Sequence, residues 1–282
     1  MRLRHLLPED APAVHEAMVA AFRDLAARLH EDPSPTGDPA ASHLRIRHLA
    51  RTDPGGAWLA EEDGQVVGAA LALVREGLWG LSLLVVRPAA QSQGIGRALL
   101  ARALAHGNGA RGRVILASSD ARALRAYARA GLTFHPSAVA EGVPRDVAMP
   151  AGVRPLEPGD REMTDAVGRL VRGAPHGEDL EALREGGSEL LVVPGEGYAA
   201  HRSGEVKLLA ARSEPAARTL LRAMLARTPE GSRASVWWLT GAQRWAVDVA
   251  LEAGLALRVD GGVFRGGDTG PFAPYLPSGA YL

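Results

Sequence analysis

The sequence contains no cysteine. Disulfide bonds, thiolate nucleophiles and cysteine-ligated zinc are therefore excluded, and any covalent chemistry must use another nucleophile. Long apolar runs are also missing, since no stretch approaches the roughly 18 apolar residues that a membrane span needs. Residues 1–10 carry charge in place of the apolar core of a signal peptide. We therefore expect a cytoplasmic protein with no membrane partner.

An excess of charge of either sign is absent as well. Lys and Arg together number 32, Asp and Glu together also number 32, and Lys207 is the only lysine. No basic face is evident that could supply phosphate contacts, so we expect no nucleic-acid partner. The nine histidines show no spacing typical of metal ligands, and we expect no metal site.

The length and composition describe an ordinary globular protein. Of the 282 residues, 46% are hydrophobic and 23% are charged, which is typical of a chain that buries an apolar core. The length exceeds that of one typical domain, so two domains are expected.

Two pairs of similar segments suggest that the chain is a duplication. Residues 3–10 and residues 153–160 share Arg, Leu, Pro and Asp at a constant separation of 150 residues. Each copy predicts a short strand, a turn and a helix that is capped by its aspartate, Asp10 or Asp160.

The second pair of similar segments covers residues 124–132 and 247–255, which lie 123 residues apart. Each predicts a helix that ends at a glycine, Gly131 or Gly254, and is followed by an apolar strand. The shorter separation indicates that the second half has lost residues. We therefore predict one domain over residues 1–150 and a degenerate copy over residues 151–282.

Apolar periodicity predicts the elements of both halves. Helices are predicted at 11–29, 40–52, 94–106, 120–130, 160–172, 214–227 and 241–253. Strands of the first half are predicted at 1–7, 57–62, 65–74, 79–87, 113–117, 132–138 and 145–149. Strands of the second half are predicted at 153–156, 189–193, 197–202, 205–210 and 234–239. A Pro-rich loop is expected at 31–39, and the turn at Asp63–Gly64 predicts a hairpin.

One loop of the first half carries a candidate binding site. The apolar strand that ends near Val86 is followed by the segment Gln91-Ser92-Gln93-Gly94-Ile95-Gly96, which opens a helix. Unpaired N–H groups and the positive dipole end make a helix N-terminus an anion site, and a pyrophosphate is the expected anion. Gly94 and Gly96 let the backbone approach phosphate oxygens closely. The alternative is that both glycines only form a tight turn from strand to helix.

Two other phosphate-binding motifs are excluded at this loop. A P-loop requires Gly-Lys-Ser/Thr, which the sequence lacks, and a dinucleotide fingerprint requires a third glycine where the sequence has Leu99.

The chain resembles the GNAT superfamily of acyl-CoA-dependent N-acyltransferases. The cofactor motif of that family, Arg/Gln-x-x-Gly-x-Gly/Ala, is matched by Gln91, Gly94 and Gly96. Its later motif, Tyr-x-x-x-Gly followed by an apolar residue, is matched at Tyr127 to Leu132. The resemblance implies an α/β fold of two tandem GNAT-like domains, each a mixed, splayed central sheet flanked by helices.

The resemblance also implies the co-substrate and its contacts. Acetyl-CoA would bind with its pyrophosphate on the N–H groups of residues 93–97, and its pantetheine arm would lie alongside residues 84–86. A backbone N–H near Val85 or Val86 would polarise the thioester carbonyl. The implied cofactor-binding residues are Leu84, Val85, Val86, Gln91, Ser92, Gln93, Gly94, Ile95, Gly96 and Arg97.

The activity implied is direct transfer of acetyl from acetyl-CoA to a primary amine of a small molecule or peptide. Tyr127 would be the catalytic general acid that protonates the departing thiolate, and the alternative is that its ring only packs in the core. A different class of function is a non-catalytic acyl-CoA-binding sensor or scaffold.

The general base is left open by the sequence. Each candidate is also readily explained as a solvated surface group. The candidates are His43, His48, Glu61, Glu62, His135 and Glu141.

The second half lacks the features of a cofactor site. No glycine occurs in residues 207–218, Glu214 adds negative charge there, and Ala250 stands at the position of Tyr127. We expect this half to be non-catalytic, and either to form a wall of the substrate site or to support dimerisation. The protein is expected to be a monomer or a homodimer. The pattern of residues 270–282 is too irregular for a strand or a helix. It predicts a tail that either lies extended on a surface or is mobile.

Overall fold

The computed structural model describes residues 1–30 and 38–282. These residues form two compact units, residues 1–110 and residues 111–282. The predicted Pro-rich loop at 31–39 lies almost entirely outside the described residues.

The first unit is an antiparallel sheet with three helices. Its strands run in the order β1-β2-β3-β4. The strands are β1 (Arg2–His5), β2 (Ala57–Glu62), β3 (Gln65–Arg75) and β4 (Leu78–Val86). The helices are α1 (Ala11–Leu29), α2 (Pro39–Thr52) and α3 (Ile95–His106). Apolar side chains from both layers form the core, among them the fully buried Val14, Ile46, Leu49, Leu59 and Leu71.

Glycine allows two close features of this unit. The β2–β3 turn places Asp63 at φ 49° and Gly64 at φ 75°, which is the left-handed geometry of a tight hairpin, as predicted. On β3, a Cβ added to Gly68 would lie 2.9 Å from the Val85 carbonyl oxygen and 3.1 Å from Leu99 Cδ1. The missing side chain therefore lets α3 pack directly on the sheet.

The second unit contains nine strands and five helices among its described residues. The strands are β5 (Gly112–Ala117), β6 (Thr133–Gly142), β7 (Arg154–Pro155), β8 (Glu189–Val193), β9 (Gly197–Arg202), β10 (Glu205–Ala211), β11 (Ala234–Leu239), β12 (Ala256–Gly267) and β13 (Tyr275–Leu276). The helices are α4 (Ala121–Arg129), α5 (Arg161–Arg172), α6 (Asp179–Glu185), α7 (Glu214–Ala226) and α8 (Arg244–Glu252). The apolar faces of α7 and α8 pack into one core with β10 and β11.

Strands of the two sequence halves alternate in this sheet. The order is β5-β12-β6-β11-β10-β9-β8-β7, and β13 pairs separately with β10. Strand β12 of the second half therefore lies between two strands of the first half, and β6 of the first half lies between β12 and β11. All of these pairs are antiparallel except β10–β11, so the predicted mixed sheet is confirmed.

This exchange explains why the compact units do not end where the sequence repeat does. The contact boundary follows residue 110, because β5, α4 and β6 are held by β12. The boundary at residues 150 and 151 stays a prediction about the duplicated sequence.

The repeated segments form the same ion pair in both units. The Arg4 guanidinium donates to both Asp10 carboxylate oxygens at 2.7 and 2.8 Å, and Arg154 donates to Asp160 at 2.7 Å twice. The prediction that these aspartates cap their helices with their side chains is wrong. Each side chain accepts from an N–H three residues earlier instead, in Leu7 or Glu157, because the paired arginine draws it back toward the strand.

Three further predictions need correction. The strand predicted at 132–138 is longer than expected and forms β6, whereas the strand predicted at 145–149 does not exist, because residues 143–150 form none. Both edges of β6 are already occupied by β12 and β11, and the Arg145 N–H donates to the Ala253 carbonyl instead. Helix α6 was not predicted. Residues 270–282 contain the short strand β13 and are largely buried, so the prediction that they have no strand is also wrong.

Candidate functional site

The connection from β4 to α3 is built to present free backbone N–H groups. Strand β4 ends at Val86, and the Gln91 side-chain amide donates to the Val86 carbonyl at 3.0 Å. The first backbone bond at the start of α3 runs from the Ala98 N–H to the Gly94 carbonyl at 3.0 Å. Gln91 therefore ties the loop back to the strand, while the first turn of the helix is left uncapped.

The uncapped N–H groups belong to consecutive residues. Within residues 1–30 and 38–282, no hydrogen-bond acceptor is found for the backbone N–H groups of residues 92–97. Helix α3 has 12 residues, so its dipole adds positive potential at the same place. An anion placed there would meet both the N–H groups and the dipole.

The two glycines leave the space in front of this turn open. Gly94 has φ 85°, and a Cβ added to it would meet nothing within 4 Å. A Cβ added to Gly96 would meet only Val86 Cγ2, at 3.6 Å, which is an ordinary contact. The backbone conformation requires a glycine at 94, whereas the fold itself gives no steric reason for a glycine at 96.

Side chains around the turn leave it accessible and positive. Ser92, Gln93 and Arg97 are exposed, and Ile95 is buried beneath them. The Arg97 guanidinium has no ion-pair partner in the described part of the chain. This free cation lies in the first turn of α3, next to the free N–H groups.

Strand β4, which is predicted to bind the pantetheine arm, contains a β-bulge a few residues before this loop. Leu84, Val85 and Val86 pair with β3, but the register shifts so that Ser82 is an extra residue between Leu81 and Leu83. Leu84 and Val86 are half-buried, and Val85 is buried. Their contact with a pantetheine arm stays a prediction.

Tyr127 lies on α4 in the second unit, with 6% of its surface exposed. Its ring meets Phe264 of β12 edge-on, with ring centroids 5.5 Å apart. Burial raises the pKa of the Tyr127 hydroxyl, and the charge of Asp120 raises it further. The hydroxyl has no hydrogen-bond partner among the residues that the structure describes. It is therefore a protonated donor at neutral pH whose proton is not otherwise used.

Sequence reasoning missed the residues of β12 that support α4. Phe264 contacts Tyr127, and the Ser119 hydroxyl, just before α4, donates to Asp260 Oδ1 at 2.8 Å. The Ser119 oxygen also accepts from the Gly261 N–H at 2.8 Å. No local pattern could have indicated these contacts, because they join residues about 140 positions apart.

The six candidate bases are not singled out by their surroundings. Glu61 accepts two bonds from Arg4, at 2.9 and 2.7 Å, and Glu141 lies 3.4 Å from both Arg233 and Arg258. His43 packs edge-on against His15, with centroids 5.2 Å apart. The structure assigns none of the candidates as the base, including His48, Glu62 and His135.

The described residues provide neither a metal site nor a membrane-spanning helix. No group of three or more His, Asp or Glu side chains is arranged there to hold a metal ion. No helix in the same ranges has both the length and the apolar character needed to cross a bilayer.

Comparison with known proteins gives a family match for part of the chain. Residues 19–132 match the model of the Acetyltransferase (GNAT) family. This segment belongs to the GNAT family. It contains both the loop at 91–97 and Tyr127, so the two sequence signatures fall inside the matched GNAT region. A comparison with curated protein sequences gives no significant match.

Solved structures show the same fold over nearly the whole chain. A candidate acetyltransferase from Pyrococcus horikoshii is 17% identical, with a TM-score of 0.82, over 100% of this chain and 95% of that one. A tandem GNAT protein from the clavulanic acid biosynthesis pathway is 16% identical, with a TM-score of 0.58, over 94% and 98% of the two chains. A GCN5-related N-acetyltransferase from Sphaerobacter thermophilus is 17% identical, with a TM-score of 0.58, over 94% and 95%. The chain therefore has the fold of the tandem GNAT proteins.

Proposed function

We propose that this GNAT protein transfers acetyl from acetyl-CoA directly to a primary amine of a small molecule or peptide. The observation that carries the proposal is the uncapped start of α3. Its free N–H groups, open glycines and free Arg97 cation are what a pyrophosphate requires. We also propose that the protein has no nucleic-acid partner, on the balance of charge, and that its location is cytoplasmic.

The residues of the loop take different parts in this binding. Gln91 fixes the loop to the end of β4 through its bond to the Val86 carbonyl. The N–H groups of residues 92–97 donate to the phosphate oxygens, and Gly96 leaves room for them. The arm of the co-substrate then extends along Leu84 to Val86, where a backbone N–H polarises the thioester carbonyl.

Tyr127 supplies the proton for the leaving group. The amine attacks the carbonyl carbon, the C–S bond breaks, and the departing sulfur takes the Tyr127 proton and leaves as the thiol of coenzyme A. The proton that the amine nitrogen loses passes through solvent and restores the Tyr127 hydroxyl. Burial raises the pKa of Tyr127 and so keeps its hydroxyl protonated, which leaves the O–H available to bond the sulfur as charge develops and to transfer its proton as the C–S bond breaks. A thiol has a pKa near 8.5, so modest help is enough for it to leave.

The second half takes no part in this chemistry in our proposal. Its helix α7 begins with Glu214 and Pro215, and the Ser213 hydroxyl accepts from the Ala216 N–H at 3.4 Å. The place where a phosphate would sit is thus taken by a carboxylate and a side-chain cap. Ala250 has no proton to donate.

A thiol-release assay with a panel of amines tests the proposal. Acetyl transfer releases free coenzyme A, and the protein itself has no cysteine to add background. Release that depends on an added amine supports the enzyme. If acetyl-CoA binds but no amine in the panel releases thiol, the non-catalytic sensor or scaffold becomes the better description.

A further inference from the structure

We infer that the groove of the second half is a binding site for an extended peptide, and that its occupant is residues 272–282 of the same chain. We name residues 272–282 the tail segment. The inference rests on the proposed function, because that function assigns the corresponding groove beside β4 to the acyl-CoA arm.

The groove arises where β10 and β11 separate. The two parallel strands are paired only at Glu205 and Ser235. Farther along β10, strand β13 takes the vacant edge, with Leu276 opposite Leu209 and Tyr275 opposite Ala210. Strand β13 also contacts β11. The tail segment therefore fills the gap of the splayed sheet as an added antiparallel strand.

Main-chain hydrogen bonds hold the tail segment where it enters the groove. The Phe272 N–H donates to the Val171 carbonyl at 2.7 Å, and the Gln243 side-chain amide donates to the Phe272 carbonyl at 2.9 Å. The Ala211 N–H donates to the Pro274 carbonyl at 3.2 Å. These bonds read the backbone, so the site recognises an extended chain rather than one particular side chain.

The far end of the tail segment is held by buried polar side chains. The Leu282 main-chain oxygen lies 3.0 Å from His176 Nε2 and is bonded by Arg172. Within the tail segment, the same oxygen accepts from the Tyr275 hydroxyl at 2.6 Å. Arg172 and His176 are each only 1% exposed. Arg172 also donates to the Tyr281 carbonyl at 3.2 Å. If the tail segment left, a buried guanidinium and imidazole would lose these acceptors, which is costly.

A peptide occupant also accounts for the changes at the start of α7. A strand that is held by main-chain bonds needs no pyrophosphate site, so the glycines of the first half are not required there. The serine cap and Glu214 are compatible with this occupant and unfavourable for acyl-CoA.

Thiol labelling of the full chain tests the inference, because the protein has no cysteine. In Ser278→Cys, the new thiol replaces a hydroxyl that is 1% exposed in the tail segment. Ser203→Cys in the exposed β9–β10 turn is the matched control. We expect Ser278→Cys to react at least about 100-fold more slowly than the control, because it must wait for local opening. Equal labelling rates would overturn the inference.

The same variant separates this inference from the proposed function. The labelling difference is measured without acetyl-CoA and so does not depend on whether the first half binds it. Saturating acetyl-CoA should leave the Ser278→Cys rate unchanged, and faster labelling would show that the cofactor displaces the tail segment. Adding Arg172→Met should speed labelling about tenfold or more by weakening the anchor, and an unchanged rate in the folded double variant would contradict the assigned anchor.

Discussion

Helices α3 and α7 follow corresponding strands of the two halves, yet they begin in opposite ways. Helix α3 begins at Gly94 with no side-chain cap, and its first N–H groups have no acceptor among the described residues. Helix α7 begins at Ser213, whose hydroxyl serves as the cap, and continues with Glu214 and Pro215. The first arrangement leaves N–H donors free for an anionic ligand. In the second, the serine hydroxyl already accepts from one of the N–H groups, and the Glu214 carboxylate repels an anion. In our proposal, a duplicated fold has thus kept its architecture while one helix start has lost its anion site.

The strands that precede these two helices, β4 and β10, also differ in what lies along their edges. Strand β10 pairs with β13 of the tail segment along the edge where β10 separates from β11. In our proposal the equivalent length of β4 carries the acyl-CoA arm. In our proposal the same backbone geometry thus serves a cofactor in one half and a peptide in the other.

The largest expected effect comes from Tyr127→Phe, which removes one hydroxyl and keeps the ring against Phe264. Turnover should fall by roughly 100-fold or more, as for loss of a general acid, while acetyl-CoA affinity changes little. Steady-state rates and calorimetry on the same preparation measure both. Full turnover with normal binding would reduce Tyr127 to a packing residue.

A donor with a more acidic leaving thiol sharpens that test. Its thiolate departs with less help, so the loss caused by Tyr127→Phe should shrink. An equal loss with both donors would mean that the hydroxyl acts before the C–S bond breaks.

The next effect is on cofactor affinity at Gly96. Gly96→Leu places a side chain where the phosphates are proposed to lie, so affinity should fall by about 1.4 kcal/mol, or tenfold. Position 96 is the cleaner probe, because at Gly94 any side chain is strained by the φ of 85°. Gly159→Leu, at an open glycine of the second half, is the matched control and should bind normally. Unchanged affinity in folded Gly96→Leu would remove the pyrophosphate site.

A smaller effect is expected on stability from the repeated ion pairs. Hydrogen bonds from Arg4 lower the pKa of Asp10, and those from Arg154 lower the pKa of Asp160. A carboxylate whose folded pKa is lowered stabilises the fold above its unfolded pKa of roughly 4, and this stabilisation is lost as pH falls through the folded value.

Asp10→Asn should therefore lower the free energy of unfolding at neutral pH by about 1 kcal/mol, since a charge-assisted bond is lost. The difference from the original protein should shrink in acid. Asp160→Asn should cost less, because its partner Arg154 is 38% exposed against 25% for Arg4. Urea unfolding of both variants at neutral and acidic pH measures this. A larger cost at Asp160 would contradict the comparison.

Changes at the start of α7 in the second half are expected to have no effect on acetyl-CoA binding. Titration should give one acetyl-CoA per chain, and Glu214→Gln should leave its affinity the same. Two equivalent sites in calorimetry would show that the second half still binds the cofactor.

Much of the local structure follows from the sequence, and the long-range pairing does not. Helix α1 (Ala11–Leu29) and strand β8 (Glu189–Val193) match their predicted bounds, because apolar periodicity is strong there. The exchange of β6 and β12 left no such trace, since a strand has the same pattern whichever neighbour it pairs with. That is also why the strand predicted at 145–149 has no partner.

Some residues of the site could likewise be predicted from the sequence, and others could not. The glycines of the loop at 91–97 are readable, because their spacing reflects local backbone needs. Phe264 beside Tyr127 and the anchors Arg172 and His176 of the tail segment are not, since each depends on a partner about 100 residues away or more.

Hydrogen exchange measured by mass spectrometry, with and without saturating acetyl-CoA, tests the central claim most directly. If the start of α3 binds the cofactor and the start of α7 does not, amides of residues 92–97 should gain protection about tenfold or more. Amides of residues 213–217 should show no change. Protection at residues 213–217, or none at residues 92–97, would contradict the account.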